Sequence, residues 1–314
     1  MVTTVEVLTP GMQTTIQDLG RPGYGHLGVS ACGAADRLAL RLGNLLAGNP
    51  EGAPALEMTL LGGRFQFHGA AWCVLAGADF GCTLDGVPVG LWTLTSLRAG
   101  QTLAFGGARS GARCYLCFSG GLQLQAVLGS CSTHIPSGIG GMDGRPLMKG
   151  DLLSIHEPAA GPEPRRIRLS VLEKLRPSSD VLRVTAAAQT ASFAQESLSN
   201  LYSLPWTVQS DSNRMGVRLA GVALEAPLQG NMTTEGAPLG AIQVTPSGEP
   251  VILCVDHQTT GGYPKIACVI SADHWRIGQM RPRQMVRFVH VSFEEARRLL
   301  LEQEALLSPE VLFE

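Results

Sequence analysis

The sequence predicts a mainly β protein with a few helices, and three observations carry this prediction. Glycine makes up 38 of the 314 residues, well above its average share of about 7%, and follows no three-residue period. Short runs rich in β-branched, aromatic or cysteine residues recur along the chain and are bounded by glycine or proline, as strands are. The apolar spacing of an amphipathic helix is clear in only three segments.

Seven runs have the composition of short strands. The first, residues 3–8, alternates between polar and apolar side chains and stops at the turn-forming pair Pro10-Gly11. The other six are residues 64–67, 72–75, 114–118, 251–255, 267–270 and 285–291.

Three segments are predicted as helices. Residues 34–46 place leucines on one face and are followed by Gly48, a residue that commonly ends helices. Residues 192–201 show the same spacing more weakly. Residues 293–307 are preceded by Ser292, with Glu295 three positions later, which is the pattern of a capping box.

A stretch rich in proline and arginine divides the chain. It predicts an N-terminal β domain at 1–165, a connection at 166–179 and a C-terminal β domain with a terminal helix at 180–314. A faint internal repeat supports the division.

In that repeat, residues 110–121 align with residues 247–262. Each copy is predicted to continue into an apolar strand, at 126–128 and at 268–270. A chance match of glycine turns is the alternative interpretation.

Composition excludes several classes of protein. The 24 lysines and arginines nearly balance the 26 acidic residues, for a net charge of −2, which argues against nucleic acid or a membrane surface as a partner. No apolar run reaches the 18 residues or so of a membrane helix, and no signal peptide is visible at Met1. Eight cysteines in so long a chain are too sparse for a secreted disulfide scaffold. The expectation is a reduced, cytoplasmic protein.

No metal ion and no common nucleotide-binding loop is predicted. Cys114 and Cys117 form a C-x-x-C, but they fall in a predicted strand, where positions three apart point to opposite faces; we expect buried apolar thiols. Residues 23–28 fit G-x-G-x-x-G but lack the preceding strand and the helix that a dinucleotide site needs. The histidines show no metal-ligand spacing.

Polar residues concentrate in loops that could bind a small molecule. Arg21 lies among glycines and prolines and could bind a carboxylate or phosphate with both arms of its guanidinium; a solvated loop arginine is the alternative. Residues 129–145 are rich in glycine and hydroxyl groups, a composition that can surround an anion or form an ordinary surface loop. Residues 211–216 and 256–265 are the densest polar clusters, and the second directly follows the predicted strand at 251–255. Its carboxylate, amide, hydroxyls and tyrosine suit the binding of a small amide or acid; an ordinary polar loop is the alternative.

Several of these segments together resemble the allophanate hydrolase subunit 2 family, also called the biotin-dependent carboxyltransferase family. Within it the chain is most similar to the C subunits of bacterial 5-oxoprolinases, and the resemblance runs from about residue 7 to residue 291. The segments that carry it are TTIQDLGR at 14–21, GAAD at 33–36, GSCST at 129–133, SNRMG at 212–216 and QTTGGYPKIA at 258–267.

The resemblance implies a fold, an activity and partners. The fold is a pair of cyclophilin-like β-barrel domains. The activity is the ATP-dependent opening of 5-oxoproline to L-glutamate, by a complex with an A-type subunit and with a B-type subunit that is similar to allophanate hydrolase subunit 1. ATP is therefore expected as a cofactor of the complex, and the chain is expected to be active only with its partners.

We assign candidate roles to residues within the matching segments and beside them. Asp256, Tyr263 and Arg21 are the catalytic candidates. Ser130, Ser132 and Thr133 are expected to hold phosphate. The candidates for binding the amide substrate are Arg214, Asn213, Gln243, Gln258, Thr260 and Gly262.

The chain departs from the family pattern at two places. It has Ala187-Ala188-Gln189 where members often have Gly-Pro-Gln, and Asn213-Arg214 where they often have Asp-Arg. The second change removes a charge and puts an acid–base role at Asn213 in doubt.

Two other functions stay open. One is carboxyl transfer from carboxybiotin to a urea-like amide, for which separate subunits would have to carry the biotin, because Met148-Lys149-Gly150 lacks the second methionine of a biotinyl motif. The other is a non-catalytic regulator that binds a partner protein.

Overall fold

A computed structural model describes residues 3–156, 162–227 and 232–314. Their contacts divide the chain into two units. Of the described residues, unit 1 comprises 3–22, 32–156, 162–169 and 312–314, and unit 2 comprises 23–31, 170–227 and 232–311. Two short segments therefore differ from the predicted division. Residues 23–31 belong to the unit formed mainly by the C-terminal half of the chain, and residues 312–314 belong to the unit formed mainly by the N-terminal half.

Unit 1 contains eleven strands among its described residues and one long helix. The strands are β1 (Thr3–Thr9), β2 (Thr14–Gln17), β3 (Ala55–Thr59), β4 (Arg64–Phe67), β5 (Ala71–Gly77), β6 (Thr83–Leu84), β7 (Val87–Pro88), β8 (Leu94–Leu97), β9 (Thr102–Ala104), β10 (Arg113–Phe118) and β11 (Leu152–Ile155), and the helix is α1 (Arg37–Leu46). One sheet has the order β11-β1-β4-β9-β6-β7 and the other the order β2-β3-β10-β5-β8. Side chains from both sheets, including Val5, Phe65, Leu116 and Phe118, form a single buried core.

Strand β10 shows why the C-x-x-C forms no bridge. Cys114 belongs to the core between the sheets. Cys117 points the other way, because an added Cβ on Gly43 of α1 would lie 2.7 Å from its Sγ atom. The two thiols therefore lie on opposite faces of the strand, as predicted, and no disulfide links any of the eight cysteines.

Unit 2 is built around a closed barrel. Its elements are α2 (Leu169–Leu175), β12 (Val181–Ala186), α3 (Gln195–Ser203), β13 (Trp206–Val208), β14 (Gly216–Ala220), β15 (Glu235–Gly236), β16 (Ala241–Val244), β17 (Pro250–Leu253), β18 (Thr260–Gly261), β19 (Lys265–Val269), α4 (His274–Gly278), β20 (Met285–His290), α5 (Phe293–Ala305) and α6 (Pro309–Leu312). The barrel order is β12-β19-β16-β17-β14-β13-β20, and a parallel pairing of β12 with β20 closes it. Strands β15 and β18 form a separate two-stranded ribbon.

The predicted mainly β fold is confirmed, and the deviations are local. Helix α1 begins at Arg37 rather than at residue 34, because the Asp36 carboxylate accepts a hydrogen bond from the Ala39 N–H and so caps the helix. The predicted cap of α5 is present, with Ser292 Oγ accepting from Glu295 N at 3.1 Å.

One other expectation differs from the structure, and the predicted connection between the domains contains a helix. The predicted strand at 126–128 is wrong: the N–H of Val127 donates to the carbonyl of Ser130, which closes an exposed turn. The predicted connection at 166–179 contains α2, and residues 157–161 of the proline-rich stretch lie outside the described residues.

No helix among the described residues has the length and apolarity needed to cross a bilayer.

Candidate functional site

A pocket of about 240 Å³ lies on the outer face of the barrel in unit 2. Along β14 and β16, Val217, Leu219, Ile242 and Val244 point into the barrel core. The intervening side chains point outward because successive residues of a strand face opposite sides. Arg218 and Gln243 therefore line the pocket, together with Asn213, Met215, Gly216, Thr245, Val251, Leu253, Gln258 and Tyr263.

Four residues predicted from the sequence meet in this pocket: Asn213, Gln243, Gln258 and Tyr263. Gln258 Nε2 donates to Gln243 Oε1 at 3.4 Å, and Gln243 Nε2 donates to the carbonyl of Tyr263 at 3.5 Å. Both bonds are longer than the usual 2.7–3.2 Å. The two amide groups are thus held in place by weak bonds that a ligand can replace.

Asn213 has a defined structural task. Its Oδ1 accepts from the N–H of Met215 at 2.8 Å and from the N–H of Gly216 at 3.4 Å, which forms a tight turn at the start of β14. An aspartate oxygen can make the same bonds, so the turn does not require the charge that this chain lacks here.

Arg214 and Asp256 do not stand as two separate binding groups. Arg214 Nε lies 2.8 Å from Asp256 Oδ2, and Nη2 lies 2.9 Å from Oδ1. The N–H of Asp256 also donates to the carbonyl of Arg214. The side chains are only 6% and 3% exposed. The pair holds the segment that carries Asn213 and Met215 against the end of β17.

A second polar cluster next to the pocket was not predicted. Lys265 is buried and its Nζ lies 2.5 Å from Glu235 Oε1, which also accepts from Gln189 Nε2 at 2.7 Å. Lys265 is the cross-strand neighbour of Gln243. The bonds from Lys265 and Gln189 lower the pKa of Glu235 below its ordinary value. Two features of the sequence could have indicated this cluster. Lys265 lies in one of the segments that resemble the family, and Gln189 lies where family members often have a glutamine.

Arg218 was also missed, although the alternation of β14 places it on the outer face. It contacts Asp211 at 3.2 Å, and both side chains are substantially exposed. Such surface pairs are weak. The guanidinium can therefore bind another anion at the pocket mouth.

Thr260 and Gly262, two further predicted residues, lie outside the pocket lining. Thr260 is in β18, where it pairs with Gly236. The neighbouring Gly261 leaves space for the Gln243 amide, since an added Cβ would lie 2.7 Å from Gln243 Nε2.

The remaining predicted residues, Arg21, Ser130, Ser132 and Thr133, belong to unit 1. Ser130 Oγ and Ser132 Oγ each donate to Asp18 Oδ1 at 2.6 Å, and the N–H of Cys131 donates to Asp18 Oδ2 at 2.6 Å. The loop expected to hold phosphate thus already binds a carboxylate of its own chain. Phosphate binding by these two hydroxyls stays a prediction, and it would have to displace Asp18.

Arg21 is 1% exposed, which is incompatible with a solvated loop arginine. Its Nη2 donates to the carbonyl of Ser132, and its Nε donates to the carbonyl of Val127 at 3.4 Å.

Unit 1 has a pocket of its own, of about 300 Å³, lined by Asp79 and Arg109 among others. No three histidine, cysteine or acidic side chains in the described ranges lie close enough together to hold a metal ion.

Sequence comparison places this geometry in a family. A sequence model described as carboxyltransferase domain, subdomain A and B, matches residues 27–290. The chain belongs to this carboxyltransferase family. The match spans both units and includes every residue of the barrel pocket.

Individual relatives agree with the family match. The chain is 40% identical to the 5-oxoprolinase C subunit of Haemophilus influenzae, over 96% of each protein. It is 38% identical to the 5-oxoprolinase C subunit of Escherichia coli, over 96% of this chain and 95% of the relative. The crystal structure of the K. lactis urea amidolyase superposes with a TM-score of 0.91 at 31% identity, over 97% of this chain but only 20% of that protein.

Proposed function

We propose that this chain is the C subunit of an ATP-dependent 5-oxoprolinase, which opens 5-oxoproline to L-glutamate together with an A-type and a B-type subunit. Two relatives that are named as C subunits of 5-oxoprolinase match it from end to end. The chain spans only a fifth of the urea amidolyase to which it is similar. A separate subunit is therefore a better parallel than a domain of a long enzyme.

The amide groups that line the pocket are the observation that supports 5-oxoproline as the substrate. A lactam presents one N–H donor and one carbonyl acceptor, and a primary amide offers both complementary groups. Gln243 and Gln258 supply two such amides on one wall of the pocket. Arg218 supplies a cation for the substrate carboxylate, in the bidentate geometry that guanidinium groups favour.

The remaining residues would position these groups. Asp256 holds Arg214, and Arg214 fixes the turn that carries Asn213 and Met215. Tyr263 is about half exposed at the pocket and could donate its hydroxyl to the substrate carbonyl.

The chemistry explains the need for ATP. The lactam nitrogen delocalises its lone pair into the carbonyl, so the ring resists attack by water. Transfer of the γ-phosphoryl group of ATP to the carbonyl oxygen releases ADP, removes this delocalisation and makes the carbon electrophilic. Water then adds to that carbon, and the ring C–N bond breaks as the nitrogen takes up a proton, which leaves an acyl phosphate. A second water hydrolyses the acyl phosphate to the carboxylate of glutamate and free phosphate. Such a phosphoryl transfer depends mainly on positioning and charge stabilisation. We assign ATP to the complex as a whole.

The test is a steady-state assay of the purified subunits, alone and mixed, that measures glutamate and ADP with and without 5-oxoproline. The three-subunit mixture should form both products, and this chain alone should form neither. Full turnover by the single chain, or no turnover by the mixture, would contradict the proposal.

Two matched variants test the pocket. Arg218→Gln should lower kcat/KM for 5-oxoproline by roughly 10-fold or more, the effect of losing a charged hydrogen bond. Arg109→Gln removes another exposed, aspartate-paired arginine, from the unit 1 pocket, and should leave kcat/KM unchanged. If the two variants changed kcat/KM equally, the substrate would not bind at Arg218.

A second candidate is carboxyl transfer from carboxybiotin to a urea-like amide, favoured by the structural likeness to urea amidolyase. In that case activity would require a biotin-bearing subunit, and avidin would abolish it. A chain that forms a complex but neither binds 5-oxoproline nor supports ATP consumption would instead be a regulator.

A further inference from the structure

One region of unit 1 contains buried polar groups that lack hydrogen-bond partners among the described residues. The atoms are Nη1 of Arg21, Nε of Arg37, Oγ1 of Thr133 and both ring nitrogens of His134. Arg21 and Thr133 are each 1% exposed, and His134 is 6% exposed. Buried polar groups without partners are rare in folded proteins, so this concentration requires an explanation.

A series of hydrogen bonds links the segments that carry these groups. Arg21 Nη2 donates to the carbonyl of Ser132, the residue before Thr133. The thiol of Cys32 donates to the carbonyl of Thr133 at 3.2 Å, and Arg37 Nη2 donates to the carbonyl of Cys32 at 3.4 Å. Arg21 thus contacts this short segment directly, and Arg37 contacts Cys32, whose thiol contacts the same segment.

Two consecutive glycines of the facing segment allow its backbone to approach this region closely. A Cβ on Gly140 would overlap the carbonyl oxygen of Ser132 and lie 2.8 Å from Nη2 of Arg21. A Cβ on Gly141 would overlap the Thr133 hydroxyl.

The guanidinium groups of Arg21 and Arg37 have no directly paired carboxylate in the part of the chain that the structure describes. Asp18 is already bound by the hydroxyls of Ser130 and Ser132. Burial lowers the pKa of Arg37, and its attraction to Cys32 and Asp18 opposes this lowering. A buried cation is stable only when it is paired or well hydrogen-bonded.

We propose that Arg21, Arg37 and Thr133 form a binding site for a small oxyanion, a phosphate or a carboxylate. The anion accepts hydrogen bonds from Nη1 of Arg21 and from the Thr133 hydroxyl, and the guanidinium of Arg37 balances its charge. His134 adds a ring N–H donor from the next position. The site uses none of the residues that line the barrel pocket, and it does not rest on the proposed function.

Thr133→Val is the sharpest test, because it removes only a hydroxyl that has no partner. The unliganded variant should melt at the same temperature as the wild type or higher, since a buried, unpaired polar group is lost. Thr14→Val is the matched control. Its hydroxyl is buried in the same unit and donates to the carbonyl of Pro10, so the control should melt lower but keep anion binding.

Binding is measured on the whole chain by the melting temperature and by calorimetry, with inorganic phosphate and with acetate, against chloride at equal ionic strength. The wild type should respond saturably to at least one oxyanion, and the preferred probe identifies phosphate or carboxylate as the ligand. Thr133→Val should weaken that response roughly 10-fold or more. No saturable response in the wild type, or an equal response in Thr133→Val, would overturn the proposal.

Discussion

Arg214 and Asp256 bind each other through two parallel hydrogen bonds, 2.8 and 2.9 Å long, inside unit 2. The sequence places the two residues 42 positions apart, with no pattern that joins them. Because the pair is almost fully buried, each charge depends on the other. It also fixes the turn at the start of β14, from which Asn213 and Met215 reach the pocket.

Removing the charge of Asp256 should therefore be strongly destabilising. Asp256→Asn leaves the Arg214 guanidinium buried beside a neutral group, and the free energy of unfolding should fall by about 3–5 kcal/mol. Urea denaturation measures the loss. Arg298→Gln breaks exposed pairs with Glu295 and Glu302 on α5 and should leave stability unchanged. A loss below about 1 kcal/mol in Asp256→Asn would show that the pair does not support the fold.

Alanine at two nearby glycines should have unequal effects. Gly138 and Gly140 both have positive φ angles, of 64° and 75°. An added Cβ at Gly138 meets open space, so Gly138→Ala should cost about 1–2 kcal/mol for the backbone conformation alone. At Gly140 the Cβ would also overlap the Ser132 carbonyl, and Gly140→Ala should cost roughly 2 kcal/mol more. Equal melting temperatures for the two variants would contradict the close packing of this segment.

The Glu235–Lys265 pair predicts a pH dependence of stability. The pKa of Glu235 is lowered in the folded chain, first by Lys265 and then by Gln189. The carboxylate therefore stabilises the fold above its ordinary pKa of 4.5, and the stabilisation is lost as the pH falls through the lowered value.

Glu235→Gln should accordingly melt lower than the wild type at pH 7, and the difference should shrink below pH 4.5. Glu173→Gln, on the exposed face of α2, is the control and should melt close to the wild type at pH 7. A Glu235→Gln difference that stays constant from about pH 7 to about pH 3 would argue against the ion pair.

The cysteines should react slowly with thiol reagents in the native chain. Burial raises the pKa of Cys73, Cys114 and Cys117, and raises that of Cys268 to about 11. At pH 8 the thiolate of Cys268 would be about 10⁻³ of the total, and only the thiolate reacts. Alkylation in urea without any reductant, followed by mass spectrometry, should show that all four of these cysteines are labelled. A need for reductant would reveal a disulfide.

The elements that the sequence predicted best have strong local signals. Residues 64–67 and the cap of α5 were placed correctly because alternation and capping depend on neighbouring residues. Strands β2 and β16 were missed. Each is four residues long, buried throughout and contains a glutamine. Because both faces of the strand are buried, its sequence lacks the alternation of polar and apolar residues that identifies a half-exposed strand.

For the site, the sequence placed Asn213, Gln243, Gln258 and Tyr263 among the candidates, and the structure brings all four to one pocket. Arg218 and Glu235 were missed because an exposed arginine in a strand and a glutamate in a polar loop have no distinctive local pattern.

The sequence by itself determined where several strands, turns and caps form, since these depend on backbone preferences and on residues a few positions apart. It also determined which polar residues follow which strands. Only the tertiary structure decided their partners: Arg214 with Asp256, the serines of the 129–133 loop with Asp18, and Arg21 buried without a carboxylate. The physical reason is that a charge removed from water must be compensated by whichever groups the fold brings within a few ångströms. Those groups come from parts of the chain that no local pattern connects.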